Sequence, residues 1–369
     1  MLIDRVSAVR VRIPYRRSHT QSFGPVPYSE AVFVRVSTDS GVEGFGEACV
    51  PAGPYWNEES AESMLAACEV YLGPRLVGAD PRALGAVQDR MRVVSGNHFA
   101  KNALEMACLD IAGRAAGVPA HDLLGGVRRR DVPIIWSLGI GDAAAELDEM
   151  AEMHERYGIE IFKVKVGHEP LAHDLERLSR LAGGLDGRVR LRPDANQGWD
   201  EATALRALPV LEQLGIEALE QPLPRWNLTG LARLRNASRV PLMADESVLS
   251  PQDALTLARE GAVDLFALKL AKSGGTLPTM AIAAIAEAAG IGCYMGCMVE
   301  SGLGTAGYLH ACAAVPDLRW GCALLGPLLL AEEVLTEPIR FANGRIFVPD
   351  GPGLGVLPDW DAVHALAVG

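Results

Sequence analysis

Apolar and polar residues alternate with period two between Ala31 and Thr38. Val32, Val34 and Val36 fall on one side, Phe33, Arg35 and Ser37 on the other, which predicts a strand. Residues 39–41 supply a turn and 42–48 return as a second strand, so a hairpin is expected. Helical spacing follows. Leu104, Cys108, Ile111 and Ala115 share one face, and Gly117 with Pro119 ends that helix. Strands first and helices afterwards describe a small α+β domain.

From about Asp131 the pattern changes to short apolar runs alternating with amphipathic helices. Residues 132–137 read as a strand. Asp142 is placed to N-cap a helix whose inner side carries Leu147, Met150 and Tyr157, closed by Gly158. Further strands are predicted at 161–166, 189–194, 218–220, 242–245, 265–270 and 291–295. Helices fall between them, for example at 202–214 and 279–289, and a weaker last strand lies near 320–324. Eight such units in about 200 residues predict a (β/α)8-type barrel. The Gly- and Pro-rich tail, 336–369, is expected to pack back on the first domain.

Composition narrows the function. The 369-residue chain is 49% hydrophobic and 22% charged, which fits a folded protein and excludes a disordered one. A net charge of −12 argues against non-specific nucleic-acid or anionic-membrane binding. No apolar run reaches the roughly 18 residues of a membrane span. Asp4 and Arg5 sit where a signal peptide needs its apolar stretch. Seven cysteines without a C-x-x-C pair (Cys49, Cys68, Cys108, Cys293, Cys297, Cys312 and Cys322) point to free thiols in a reducing cytoplasm.

The chemistry lies in where the barrel half puts its charges. Lys163 and Lys165 close one apolar run, Asp194 the next, Glu220 the third, Asp245 the fourth and Lys269 the fifth. From Lys165 onward the steps are 24 to 29 residues, about one βα unit each. The five groups are therefore expected at equal heights on successive strands, at the C-terminal mouth where barrel enzymes keep their sites. Three converging carboxylates repel unless a cation sits between them, and oxygen donors suit Mg²⁺ or Mn²⁺. The plainer alternative makes them helix caps paired with Lys165 and Lys269. With 132–137 as the first strand, Lys165 and Lys269 lie on opposed strands and place an amine on either face of a bound substrate. Lys163 shares a strand face with Lys165, and their repulsion is expected to lower the pKa of Lys165 toward general-base use. A metal facing two such groups suits proton transfer next to a carboxylate. His98 and His310 read as structural, and Gly274-Gly275 is a weak phosphate signal.

The order Lys163-x-Lys165, Asp194-x-Asn196, Glu220-Gln-Pro, Asp245-Glu246-Ser and Lys269-x-x-Lys-x-Gly-Gly resembles the enolase superfamily, muconate lactonizing enzyme subgroup. The likeness covers nearly the whole chain and includes 96–101, 123–126, 266–275 and 325–330. It implies a (β/α)7β modified TIM barrel (127–325), an N-terminal α+β capping domain (1–126) and a C-terminal segment (326–369) returning to that domain. It also implies Asp194, Glu220 and Asp245 as ligands of Mg²⁺ or Mn²⁺, with Asn196 and Glu246 beside them. Lys165 is the implied main acid/base, with Lys269 as its opposite partner and Lys163 nearby.

Segments 54–60 and 297–300 resemble muconate cycloisomerases, which places Tyr55, Trp56 and Glu300 near the substrate. The loops 18–27 and 51–57 are expected to reach the mouth with Phe23, Tyr55 and Trp56. The implied activity is closure of a muconate to a muconolactone, in a cytoplasmic homo-oligomer acting on a small carboxylate. The alternatives are a racemase or epimerase of an N-substituted amino acid or dipeptide, and a hydroxy-acid dehydratase. One departure stands out. Where those cycloisomerases carry a glutamate and a phenylalanine on the last strand, this chain has Ala323 and Leu325, and the Asp-x-Asp of dipeptide epimerases is absent too.

Overall fold

The structure, a computed structural model, describes residues 1–368; Gly369 lies outside them. The first domain is an antiparallel meander of β1 (Ile3–Gln21), β2 (Gly24–Thr38) and β3 (Glu43–Pro51). The expected hairpin is present and longer than predicted, and β1 is an additional strand. The segment 18–27, expected as a loop, is the tip of the β1–β2 hairpin, with His19 opposite Val26. Helix His98–Ala116 packs on β3 on one side and on the barrel turn Leu270–Ser273 on the other. It is therefore buried all round from Phe99 to Gly113, not amphipathic as its spacing suggested. Gly44 and Gly46 permit this. A Cβ on either would fall inside contact distance of the Ala107 or Ala103 carbonyl oxygen.

Strands β5 (Trp136–Ser137), β6 (Ile161–Lys165), β7 (Arg190–Asp194), β8 (Leu219–Glu220), β9 (Leu242–Ala244), β10 (Leu265–Leu268) and β11 (Gly292–Met295) form one parallel sheet in chain order. Cys322 bridges both Met295 on β11 and Ile134 just before β5, so the expected eighth strand is reduced to a pair of bridges that close the barrel. The run 132–137 does not form a single strand. Its start, β4 (Asp131–Pro133), joins a separate sheet with β12 (Phe341–Ala342) and β13 (Arg345–Phe347), and only its end enters the barrel. Asp142 caps helix Ala143–Tyr157 by accepting from the Ala144 and Ala145 N–H groups, and Gly158 ends it in the left-handed conformation. The last residues of the tail lie along the first domain, with Val368 N donating to Arg10 O.

Two first-domain carboxylates fasten the domain to the barrel through helix N-termini. Glu47 on β3 accepts from Ser301 N (2.8 Å), Gly304 N (2.7 Å) and Ser301 Oγ at the start of helix Gly302–Ala314. Glu105 accepts from Thr276 N and Leu277 N at the start of helix Thr276–Ala289. This carboxylate fills the place a phosphate would take beside Gly274-Gly275. Burial pushes the Glu47 carboxyl up to about 7, despite its bonds to Ser301 and Gly304. Its native pKa thus exceeds its unfolded one, and its contribution to stability is full below about pH 4.5 and lost as pH rises through about 7. Wild type is expected to gain roughly 3 kcal/mol relative to Glu47→Gln between pH 7.5 and 4.5, read by urea unfolding.

Candidate functional site

Lys165, Asp194 and Glu220 are direct register partners across β6, β7 and β8. The equal height expected for all five charged groups holds for these three only. Glu220 pairs with Met243, so Asp245 lies two residues further along its strand, and Lys269 follows the end of β10. Strands tilt against a barrel axis, so a ring around the mouth climbs along successive strands. The groups still converge. Lys165 Nζ donates to Asp194 Oδ2 (2.8 Å) and Asn196 Oδ1 (2.6 Å). Lys163 Nζ donates to Glu220 Oε1 (2.6 Å) and lies 3.4 Å from Asp194 Oδ2. Lys269 Nζ donates to Asp245 Oδ2 (2.7 Å).

A fourth lysine and a fourth carboxylate complete the cluster. Lys272 donates to Asp245 Oδ1 (2.7 Å) and O (2.6 Å), and Glu246 accepts from Asn196 Nδ2 (2.9 Å). All eight charged side chains are buried. Asp194, Glu220 and Asp245 are each ion-paired to one or two of the four ammonium groups, which is how so many charges persist out of water. Lys272 is the second lysine of the Lys269-x-x-Lys motif, to which the sequence assigned no role; the i, i+3 step puts both on one turn.

The electrostatics follow from this packing. Burial opposes the Lys163 ammonium, but Glu220, Tyr294 and Asp194 hold its pKa well above the ordinary lysine range. Lys163 and Lys165 share one carboxylate oxygen, Asp194 Oδ2, at 3.4 and 2.8 Å. Burial also works against the Asp245 carboxylate, yet Lys269 and Lys272 keep it far below the usual range. Burial, with Asp245 and Asp194 nearby, pushes Glu246 up to about 8. Among the described residues no three His, Cys, Asp or Glu side chains stand arranged to hold a metal ion as they are; each carboxylate of the ring is turned onto an ammonium.

A solvent-connected cavity opens above this cluster. Lys163, Lys165, Asp194, Asn196, Asp245 and Lys269 form its floor and sides, and Phe23, Trp56, Ala323 and Leu325 also line it. The Trp56 ring lies 4.1 Å from Lys269 Nζ, so the first domain does reach the mouth. Tyr55 does not line this cavity; it is 63% exposed and stacks on Phe23 at 5.2 Å. Glu220 and Glu246 lie behind the lining, and Glu246 faces a neighbouring cavity beyond Trp56. Glu300 is turned away, accepting from Met298 N (3.0 Å), and shapes the loop after β11. In that loop Val299 adopts φ +68°, a strained setting for a β-branched residue, on the cavity wall. Ser29 Oγ donates to the Val299 carbonyl and Cys49 Sγ to that of Met298.

His98 faces the neighbouring cavity, and His310 stacks on His121 in the protein interior, so neither joins the charged cluster. All seven cysteines are free thiols, six buried and Cys297 partly exposed on the cavity wall. His19, Gln21, Ser137 and Cys297 also line the cavity, and the sequence did not single them out as site residues.

A charged ring at the mouth of such a barrel, covered by an α+β domain, defines a class. The chain belongs to the mandelate racemase / muconate lactonizing enzyme family: the N-terminal domain model of that family matches residues 4–125, and the enolase C-terminal domain-like model matches 145–362. It is an enzyme of the enolase superfamily, a metal-dependent family, acting on a small molecule. Within it, the chain is 42% identical to muconate cycloisomerase 1 of Rhodococcus opacus, over 98% of this chain and 97% of that protein. It is 42% identical to a chloromuconate cycloisomerase of Cupriavidus pinatubonensis, over 100% and 99%. The muconate lactonizing enzyme of Pseudomonas fluorescens, solved with muconolactone, superposes with a TM-score of 0.97 at 38% identity, covering 100% of this chain and 99% of that one. No helix among the described residues is long and apolar enough to cross a membrane.

Proposed function

We propose that this enzyme is a muconate cycloisomerase, closing cis,cis-muconate or a substituted muconate to the corresponding muconolactone. The observation that carries the reading is the pair of lysines, Lys165 and Lys269, on opposed strands of a ring that also holds Asp194, Glu220 and Asp245. The donor set is all hard oxygen, and Glu220 Oε2, though 2.6 Å from the Lys163 ammonium, has no well-directed hydrogen bond. These residues fit a divalent cation, Mg²⁺ or Mn²⁺. When bound, such a cation supplies positive charge to the substrate carboxylate next to the reacting carbon.

The chain's own groups do the rest. Asn196 and Asp194 hold the Lys165 amine at the cavity floor. In the reaction, one carboxylate oxygen bonds to the carbon β to the other carboxylate, and the α carbon takes a proton from Lys165. Lys269, steadied by Asp245 and by the Trp56 face, lies across the cavity as a counter-charge. The first domain, through Phe23 and Trp56, covers the mouth and excludes water. Ala323 and Leu325 leave the far wall apolar and uncharged, which suits a substituted muconate as well as the parent acid. The same reading makes the protein a homo-oligomer; its acidic charge supports the expectation of no nucleic-acid or anionic-membrane partner, and its free thiols that of a cytoplasmic setting.

Incubation with cis,cis-muconate and Mg²⁺ or Mn²⁺ in D₂O is expected to yield muconolactone carrying one solvent deuteron, and chelator treatment to abolish turnover. Solvent exchange at the α carbon of N-acyl amino acids, with muconate untouched, would replace this reading by the racemase one.

A further inference from the structure

One wall of the catalytic cavity carries polar side chains with nothing to bind. His19 is 1% exposed, and its Nδ1 is buried with no hydrogen-bond partner. It lies over Gly139, whose missing Cβ leaves the ring its place, and Ile140 N donates to Thr20 O (2.9 Å), pinning the hairpin tip to the barrel. Ser137, opposite Lys163 in the β5–β6 register, and Gln21 line the same cavity, and neither side chain makes a hydrogen bond within the protein. Gln21 and Ser137 are partly exposed, but His19 is buried, and an unpartnered buried polar group is costly and marks where a ligand is meant to complete it.

A dicarboxylate needs both ends held. The floor cluster serves the carboxylate beside the reacting carbon, which leaves the other end of the substrate to be held by the remaining lining of the cavity. We propose that His19, with Ser137 and Gln21, forms a subsite for the second carboxylate of the substrate, the one whose oxygen closes the lactone ring. This rests on the cycloisomerase reading. Hydrogen bonds to one oxygen of that group leave the other free to reach the double bond, so the subsite orients the nucleophile as well as binding it. Burial, then Lys165 and Arg17, keep the imidazole neutral by lowering its pKa to about 3, so it acts through its N–H and not through charge. A neutral donor also suits turnover, since a full ion pair would hold back the oxygen that must attack.

The test compares adipate with hexanoate, six-carbon acids that differ in having the second carboxylate, binding to the Mg²⁺-loaded protein by calorimetry. His19→Phe is expected to weaken adipate by about 10- to 100-fold and hexanoate by less than about 3-fold. His19→Gln, which keeps a donor, is expected to restore adipate to within about 5-fold of wild type. Equal losses for both acids, or no loss for either, overturn the subsite. Wild-type turnover of muconate is measured separately: a protein that prefers adipate yet leaves muconate unchanged loses the cycloisomerase reading and keeps the subsite.

Discussion

Lys165→Met is expected to lower kcat on muconate by about 10²- to 10⁴-fold, the usual range for loss of a positioned proton donor. KM should change far less, because the amine contacts Asp194 and Asn196 at the floor and the substrate gathers binding from elsewhere. Lys165→Arg is expected to be nearly as inactive, since a guanidinium stays protonated and cannot cycle. The contrast with Lys269→Met is informative. If Lys269 supplies only charge, its loss should fall on both kcat and KM without removing solvent deuteron incorporation. Rapid single-turnover measurements on the three variants would separate these cases. A Lys165→Met enzyme with wild-type kcat would remove the assignment of the proton donor.

Asp245→Ala should have the largest effect on the fold. It takes the carboxylate from two buried amines at once, Lys269 and Lys272, each 2.7 Å from one of its oxygens. Breaking a buried pair from one side typically costs about 3 to 5 kcal/mol, because the remaining charge has lost its partner. The metal-free protein, unfolded in urea with chelator present, is expected to lose stability in that range. Adding Lys272→Met to Asp245→Ala should recover part of the loss, a non-additivity reporting their contact. Activity should vanish in both variants, since the carboxylate ring is broken either way. If Asp245→Ala is as stable as wild type, pairing with Asp245 is not what keeps the Lys269 and Lys272 amines buried.

Most of the ring was legible because a βα unit has a nearly fixed length, so charges about 25 residues apart land on neighbouring strands. What spacing does not carry is strand tilt, which is why Asp245 and Lys269 sit higher along their strands than Glu220. The last strand was legible as weak, and it is: residues 320–324 contribute one bridging cysteine. Strand β1 is signalled by Val9, Val11, Ile13 and Tyr15 in alternation, a pattern that Pro14, lacking an N–H for the ladder, interrupts. His19, Gln21 and Ser137 could not be found from pattern alone. They come from a hairpin tip and a two-residue strand that meet only when the first domain is docked. Tyr55 and Glu300 show the converse: neighbours of site residues in the chain, they face away from the cavity.

The carboxylates of Glu47 and Glu105, seated on the starts of two barrel helices, have a consequence for how such enzymes diversify. Phe23, Trp56 and His19 ride on the same body as these two anchors, so their reach over the lysines is set by where the anchors land. Grafting the first 126 residues of another relative onto this barrel would succeed only if both acidic plugs meet matching helix ends. New specificity is therefore more readily acquired by altering single side chains at the hairpin tip than by exchanging whole modules.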